Sequence, residues 1–407
     1  MLTRRQILLG GVAAAGVGAT SIISGADAAN AYRAGFAEAQ KLSASKLANA
    51  TLTWHGKHQA GIESRAQAHT NFVAFDLLPN VTSDDMLRWM VLLTDSVSTM
   101  CAGLPALADP QPDVFIGAAN LSITVGFGPS LFKKLKLESK QPAGFAAIPK
   151  FAIDELQPEF CDGDVLLHIA ADDLQILSHV TRTLLRDSES FVKLRWLQSG
   201  FTNAVGTVPE GVTQRNLMGQ VDGTDNPELG SENFAQRVWI QDGPAWIGGG
   251  TQLALRRIRM NLNTWDLLGR NDKEQVIGRR LDTGAPLGKK HERDAIDFDA
   301  VDDRGLKVIP EFAHIRRASA QNLDEIFFRR PFNYQLVNAG AGQVESGLLW
   351  TAYARDLSKQ YLPVQQRLAQ FDLLNKWTTP IGSAVFAIAR GINPGEIIAE
   401  ELVSKNA

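Results

Sequence analysis

The first strand-like stretch of the chain reads Asn71-Phe72-Val73-Ala74-Phe75-Asp76-Leu77. Its alternation of residue types is typical of a β-strand with one buried face. Ser83-Asp84-Asp85 follow it, and residues of this kind cap helices, so the apolar pattern that runs on to about Met100 predicts a helix. The folded part of the chain, which we expect to begin at Trp54, therefore opens with a strand and a helix.

The same pattern continues through the first half of the chain. It predicts strands at residues 121–125, 163–169 and 191–196, with a helix from Asp172-Asp173 to about residue 187. The order βαββαβ is that of a ferredoxin-like unit. Residues 54–212 are therefore predicted to form a first ferredoxin-like domain.

A similar order of elements recurs in residues 213–407, which we predict to be a second ferredoxin-like domain. Strands are predicted at 238–240, 252–260, 347–353 and 383–389, and helices at 263–278 and 363–375. Residues 279–308 are rich in charge and contain Gly284-Ala285-Pro286, so they are predicted to be a long loop, and long loops are commonly functional. The predicted fold class is α+β.

The composition is that of an ordinary globular protein. The chain has 407 residues, 44% of them hydrophobic, and 41 Lys and Arg against 44 Asp and Glu give a net charge of -3. The chain has no excess of positive charge that would favour binding to nucleic acid, so we exclude nucleic acid as a partner. Cys101 and Cys161 are too few for a disulfide framework, and the sequence leaves open whether they pair.

The N-terminus has the features of an export signal. Thr3-Arg4-Arg5-Gln6 precedes an uncharged run from residue 7 to 23, and Ala26-Asp27-Ala28 offers a cleavage site. The paired arginines predict a twin-arginine signal at residues 1–28 and a periplasmic or otherwise exported protein. An uncleaved anchor is the alternative, but the run is short for a spanning helix, so no stable membrane insertion is expected after cleavage. Residues 29–53 would form an N-terminal arm.

The most distinctive local segment is Gly219-Gln220-Val221-Asp222-Gly223-Thr224-Asp225-Asn226-Pro227. Its glycines allow the backbone to turn tightly and to approach a flat ligand, with Asp222 projecting into a cavity. An ordinary turn is the alternative, because Asp-Gly and Asn-Pro form turns wherever they occur.

Two later segments add a histidine and an arginine. His314 stands in Ala313-His314-Ile315-Arg316-Arg317-Ala318, and a neutral imidazole is a good axial ligand of iron. Arg329 stands in Phe327-Phe328-Arg329-Arg330-Pro331, where aromatic neighbours could hold a guanidinium against developing negative charge. Taken singly, a structural histidine and a solvated basic pair are the commoner interpretations.

In this order, the three segments resemble those of DyP-type (dye-decolourising) haem peroxidases. The resemblance extends over nearly all of the chain after the signal, through His58-Gln59-Ala60-Gly61-Ile62, Gly248-Gly249-Gly250-Thr251, Ile277-Gly278-Arg279-Arg280 and Pro363-Val364-Gln365-Gln366-Arg367-Leu368. With the twin-arginine signal it points to the exported subgroup also called deferrochelatases. It implies two ferredoxin-like domains of the dimeric α+β barrel type, a homodimer, and one non-covalent haem b in the second domain.

The resemblance also assigns residues. It makes Asp222 and Arg329 catalytic and His314 the iron ligand, and it places haem contacts at Gly219, Asp222, Gly223, Thr224, His314 and Arg329. The chain departs from the family at residues 317–320, Arg-Ala-Ser-Ala where Leu-Ala-Asn-Pro is more usual. Its spacing from His314 to the arginine pair is also shorter, so Arg330 is the alternative to Arg329.

The implied activity is reduction of hydrogen peroxide with oxidation of dyes or other organic donors. Asp222 would carry the proton between the peroxide oxygens, and because aspartate ordinarily titrates near pH 3.9, activity should be greatest at about pH 4–5. Large donors would need surface aromatics to pass electrons, and Trp350, Tyr353, Trp377 and Tyr334 are possibilities, although core packing is the commoner role. The alternative function is a periplasmic haem carrier or deferrochelatase with iron-uptake partners, which needs His314 but neither Asp222 nor Arg329.

Overall fold

The computed structural model describes residues 47–48, 50–115, 117–209, 211–338 and 343–404. The predicted signal at residues 1–28 and most of the predicted arm at 29–53 lie outside this part. In the part described, no helix has the length and apolar character needed to cross a membrane. Cys101 and Cys161 are both buried and both free thiols.

The first half of the chain has the predicted order of elements. Its strands are β1 (His69–Leu77), β2 (Ser122–Phe127), β3 (Val165–Ala171) and β4 (Val192–Phe201), and its helices are α1 (Ser83–Cys101), α2 (Pro129–Lys134) and α3 (Leu174–Ser188). The strands pair in the order β2-β3-β1-β4, as in a ferredoxin-like unit. Helix α1 is capped by Thr82, one residue before the predicted start, in a capping box with Asp85.

The second half repeats this arrangement with different details. Its strands are β5 (Thr251–Met260), β6 (Phe328–Arg329), β7 (Phe332–Asn338), β8 (Gln343–Ala354) and β9 (Thr378–Ile388). Its helices are α4 (Glu232–Val238), α5 (Leu262–Asp266), α6 (Arg270–Ile277), α7 (His314–Ala318), α8 (Leu357–Gln360), α9 (Leu362–Phe371) and α10 (Glu400–Val403). Strands β5, β7, β8 and β9 pair in the order β9-β5-β8-β7, again ferredoxin-like.

Two predictions about these elements are wrong. Residues 238–240 are not a strand, because Val238 ends α4 and the next two residues leave the helix as buried connecting chain. The second strand of this half is instead β7, which the sequence analysis did not predict. The helix predicted at 263–278 is divided into α5 and α6 by Gly269, which precedes α6.

The two halves share one barrel. Strand β2 pairs with β9, β4 pairs with β7, and β5 pairs with β8, so eight antiparallel strands close on themselves, while the short β6 adds to β8. The α+β class with ferredoxin-like units is therefore confirmed. The division at residues 212 and 213 and the dimer stay predictions.

Strand β1 is buried on both faces, so the prediction of a half-buried strand is wrong. Phe72 packs into the barrel interior beside Leu166 and Phe332, whereas Phe75 packs outside against Trp89 of α1. Helices α1 and α3 cover the outer face of this part of the sheet, which leaves no water-exposed side for polar residues.

Candidate active site

A cavity of about 630 Å³ lies against β5, β8, α7 and α9 in the second half of the chain. Its volume is within the range of about 300–1,000 Å³ that is usual for cofactor sites. Much of its wall is apolar, formed by Ile258, Met260, Ile277, Ile315, Leu348, Trp350, Leu368 and Leu374. Charged side chains also line it, among them Asp222, Arg279, Arg293 and Arg329.

Five of the six predicted site residues line this cavity, namely Asp222, Gly223, Thr224, His314 and Arg329. Gly219 does not line it. Its φ of +79° places it in a left-handed turn just before the lining segment, where glycine is favoured. The structure thus brings together residues that are more than a hundred positions apart in sequence.

Asp222 and Arg329 form a charged pair in the cavity wall. Oδ1 of Asp222 lies 3.7 Å from Nη1 of Arg329, too far for a hydrogen bond but close enough for strong attraction. The Asp222 amide donates to the carbonyl of Gln214, and Nδ2 of Asn216 donates to Oδ2 of Asp222 at 3.4 Å. The backbone and the side chain of Asp222 are therefore both held in place, and Oδ1 faces the guanidinium of Arg329.

The segment after Asp222 is tied to the long loop at residues 279–308. Gly223 has a φ of +127°, which a residue with a side chain rarely adopts. The hydroxyl groups of Thr213 and Thr224 both donate to Oε1 of Glu292, at 2.6 and 2.9 Å. The predicted loop contains no helix or strand among the described residues, and it is anchored here beside the cavity.

Asn226 fixes the backbone that carries Arg329. Its Nδ2 donates to the Arg329 carbonyl at 2.7 Å, and its Oδ1 accepts from the Arg329 amide at 3.0 Å. The side-chain amide thus pairs with strand β6 as a neighbouring strand would. This role depends on a contact 103 residues away in sequence, and it was not predicted from the sequence.

Arg330 is directed away from the cavity. It is buried, and its guanidinium donates to the carbonyl groups of Gly61, Ile62 and Ser64. Burial lowers the pKa of Arg330 to about 10. Of the two adjacent arginines, only Arg329 reaches the cavity.

His314 is the first residue of α7, and its ring is fixed by a carboxylate. Nδ1 lies 2.6 Å from Oδ2 of the buried Asp372. Burial acts to lower the pKa of His314, but the charge of Asp372 and this hydrogen bond outweigh it and leave the pKa raised. Because a carboxylate only accepts, Nδ1 carries a proton, and in the neutral imidazole Nε2 carries the lone pair. Among the described residues, Nε2 has no hydrogen-bond partner.

Asp372 is itself held in place. Its Oδ1 accepts from the amide of Leu374 at 2.9 Å, which caps the short helical turn Leu373–Lys376. A histidine ligand whose other nitrogen donates to a fixed carboxylate is the usual arrangement in metal and haem sites. Asp372 was not predicted from the sequence, because it lies 58 residues further along the chain than His314.

Known proteins resemble the chain along most of its length. A family model described as Dyp-type peroxidase, N-terminal, matches residues 59–202, and one described as Dyp-type peroxidase, C-terminal, matches residues 213–393. A dye-decolorizing peroxidase of Thermobifida fusca is 35% identical over 360 residues, which cover 85% of this chain and 83% of that protein.

A deferrochelatase of Escherichia coli (strain K12) is 34% identical over 363 residues, 84% of this chain and 85% of that protein. Among solved structures, a DyP-type peroxidase from Cellulomonas bogoriensis has a TM-score of 0.85 and 41% identity, and the match covers 88% of this chain and 99% of that one. These similarities span both halves of the barrel and the whole of the cavity.

Proposed function

The chain belongs to the DyP-type peroxidase family, and from that membership we propose that Asp222 and Arg329 act on peroxide while His314 holds the iron of haem b. Peroxidases of this family bind haem, reduce hydrogen peroxide and oxidise organic donors. The observation that carries the assignment of residues is that His314 and the Asp222–Arg329 pair line one cavity of about 630 Å³.

The residues present fit a haem. The apolar wall suits a flat macrocycle, and the free Nε2 of His314 is a suitable iron ligand. Arg279 and Arg293 line the same cavity and would partner the two carboxylates of the haem. When bound, the haem supplies the iron at which peroxide is reduced and through which electrons leave the donor.

The charged pair supplies the proton chemistry. Asp222 would take a proton from one oxygen of hydrogen peroxide and return it to the other, which departs as water. Arg329 would stabilise the negative charge that develops on the departing oxygen. Asn216 keeps the carboxylate oriented for this transfer.

The test is stopped-flow absorbance of the haem-loaded protein mixed with hydrogen peroxide. We expect Asp222→Asn to slow the peroxide reaction by roughly 10²–10⁴-fold and Arg329→Leu by roughly 10²–10³-fold. His314→Ala should lose bound haem. Asp266→Asn is the control, because its exposed carboxylate pairs with Lys273 and does not line the cavity. A wild-type rate in Asp222→Asn would overturn the assignment.

Removal of iron from haem is the second function to consider, because relatives that are 34% identical are named deferrochelatases. It would use the same cavity and His314 without Asp222. Iron release that leaves the porphyrin intact, and that Asp222→Asn does not change, would favour it.

We also propose export through the twin-arginine route, which Arg4-Arg5 before the uncharged run at residues 7–23 supports, and a homodimer, which family membership supports. Replacing Arg4 and Arg5 by lysine should keep the protein in the cytoplasm as an uncleaved precursor. Detection of mature protein outside the cytoplasm in that variant would contradict the proposal. Analytical ultracentrifugation would test the dimer.

A further inference from the structure

Inside the barrel, away from the cavity, a histidine and a tyrosine form an isolated polar pair. The phenolic oxygen of Tyr353 lies 3.2 Å from Nδ1 of His168, and the two residues are 0% and 1% exposed. The imidazole stacks on Phe72 with ring centroids 4.2 Å apart and meets Phe332 edge-on at 5.9 Å. The proposed peroxide chemistry makes no use of this pair.

The arrangement of protons in the pair follows from what surrounds it. In the part of the chain that the structure describes, Nε2 of His168 has no hydrogen-bond partner. If Nδ1 carried the proton, both Nε2 and the phenolic proton would be left unsatisfied in an apolar core. If Tyr353 donates to Nδ1, only the N–H at Nε2 is unsatisfied. Because each such group is costly to bury, Tyr353 is the donor and Nδ1 the acceptor.

Tyr353 lies one layer behind the cavity wall. It is the cross-strand partner of Phe328, and the two rings are 6.3 Å apart. Phe327 and Arg329, on either side of Phe328, both line the cavity. The phenol is therefore close to the proposed haem but shielded from water and from donors in solution.

We propose that Tyr353 is an internal electron donor to the peroxide-oxidised cofactor, with His168 as the acceptor of its proton. The inference rests on the proposed peroxidase function. One electron leaves the phenol for the cofactor, the O–H bond breaks, and the proton forms an N–H bond at Nδ1. The products are a neutral phenoxyl radical and an imidazolium, and an organic donor that later supplies one electron restores both side chains.

Among the described residues, Nδ1 of His168 is the acceptor within hydrogen-bond distance of the phenol, so the proton has one destination. Loss of an electron turns a phenol into a strong acid, which makes transfer to a neutral imidazole favourable. Arg330 is the charged group that acts on both side chains. Its positive charge makes the oxidised pair harder to form, which suits a short-lived relay rather than a resting place for the oxidising equivalent.

The test is electron paramagnetic resonance of the haem-loaded protein, frozen within milliseconds of mixing with hydrogen peroxide. The chain has four tyrosines, Tyr32, Tyr334, Tyr353 and Tyr361. We expect a tyrosyl signal that Tyr353→Phe abolishes and Tyr361→Phe retains. Tyr361 is the matched control because it is equally buried but donates to Gln365 instead of a histidine. In the wild type, a coupled proton that exchanges in D2O should identify the hydrogen bond to His168.

His168→Phe removes the proton acceptor and keeps the aromatic stacking, and it should reduce the yield of the tyrosyl signal at least tenfold. His168→Gln, which keeps a polar side chain at the position, tests the same point if the first variant folds poorly. Peroxide consumption is measured in the same samples. If wild type consumes peroxide and the tyrosyl signal survives Tyr353→Phe or both His168 variants unchanged, the inference alone is wrong. If wild type consumes no peroxide, the proposed function fails and the inference fails with it.

Discussion

Arg329 and Arg330 are neighbours with different surroundings, because successive residues of a strand point to opposite faces. We predict that Arg330→Leu lowers the free energy of unfolding by about 3 kcal/mol, since two buried carbonyl groups and one part-buried carbonyl group lose a charged donor. Arg329→Leu should change it by less than about 0.5 kcal/mol. Urea unfolding of both variants measures this, and equal losses would contradict the assignment of Arg330 to structure.

Asp372 contributes to the site through His314. In Asp372→Asn the side chain keeps an oxygen that can cap Leu374, but it loses the charge that faces Nδ1. We expect haem affinity to fall by roughly 10–100-fold. The rate of haem loss to an excess of a haem-free globin measures this, with Asp266→Asn, an exposed residue outside the cavity, as control. Unchanged haem loss would show that the charge of Asp372 is not needed.

Some residues of the site could be predicted from the sequence and others could not. Asp222, His314 and Arg329 carry their chemistry in their own side chains, so segment and spacing were sufficient to identify them. Asp372 and Asn226 are useful only because folding brings them to His314 and Arg329. A polar residue whose role depends on its contact partner has no local pattern by which it can be recognised.

The two-residue strand β6 holds Arg329 and depends on Asn226 for its outer hydrogen bonds. Asn226→Ala should slow the peroxide reaction on the order of 10- to 100-fold, because a small displacement of a catalytic group is costly. Asn226→Asp keeps the acceptor for the Arg329 amide and should be less affected. Asn333→Ala, on β7, is the control. A wild-type rate in Asn226→Ala would show that β8 alone positions β6.

Among whole elements, the helices and strands with strong periodicity were predicted and the irregular ones were not. Helix α3 and strand β5 lie close to their predicted bounds because their patterns are long. Strand β7 follows Pro331 and was missed, and residues 238–240 were given a strand instead. Their apolar side chains are buried by packing around α4, which a short apolar run cannot distinguish from a strand.

In the molecule as a whole, the closed barrel places the hydrophobic core and the proposed active site on opposite faces of the same strands. Its interior is filled by side chains from both halves, such as Phe72, Tyr353 and Phe386, while the cavity lies on the outside of β5 and β8. Closure depends on short pairings between the halves, β2 with β9 and β4 with β7. Such pairings join distant parts of the chain, so the periodicity predicted two ferredoxin-like units, and only the family resemblance implied a barrel.

The barrel interior also makes stability depend on pH through His168. Burial lowers its pKa to about 3, from an ordinary value of 6.5. In the unfolded chain His168 binds a proton below about pH 6.5, whereas in the folded chain it binds one only below about pH 3. The free energy of unfolding therefore falls as pH decreases across this window. At pH 4.5 the loss is about 3 kcal/mol relative to neutral pH.

His168→Phe cannot be protonated, so it should lose about 3 kcal/mol less than wild type between pH 7 and pH 4.5. Urea unfolding at the two pH values measures this difference, and replacement of the exposed His291 by Phe should leave the wild-type dependence unchanged. An identical loss of stability in wild type and His168→Phe would show that the folded barrel admits a protonated His168. If His168→Phe does lose less stability, then at about pH 4–5, where the ordinary pKa of aspartate predicts the greatest activity, the enzyme works with a barrel core that is less stable than at neutral pH.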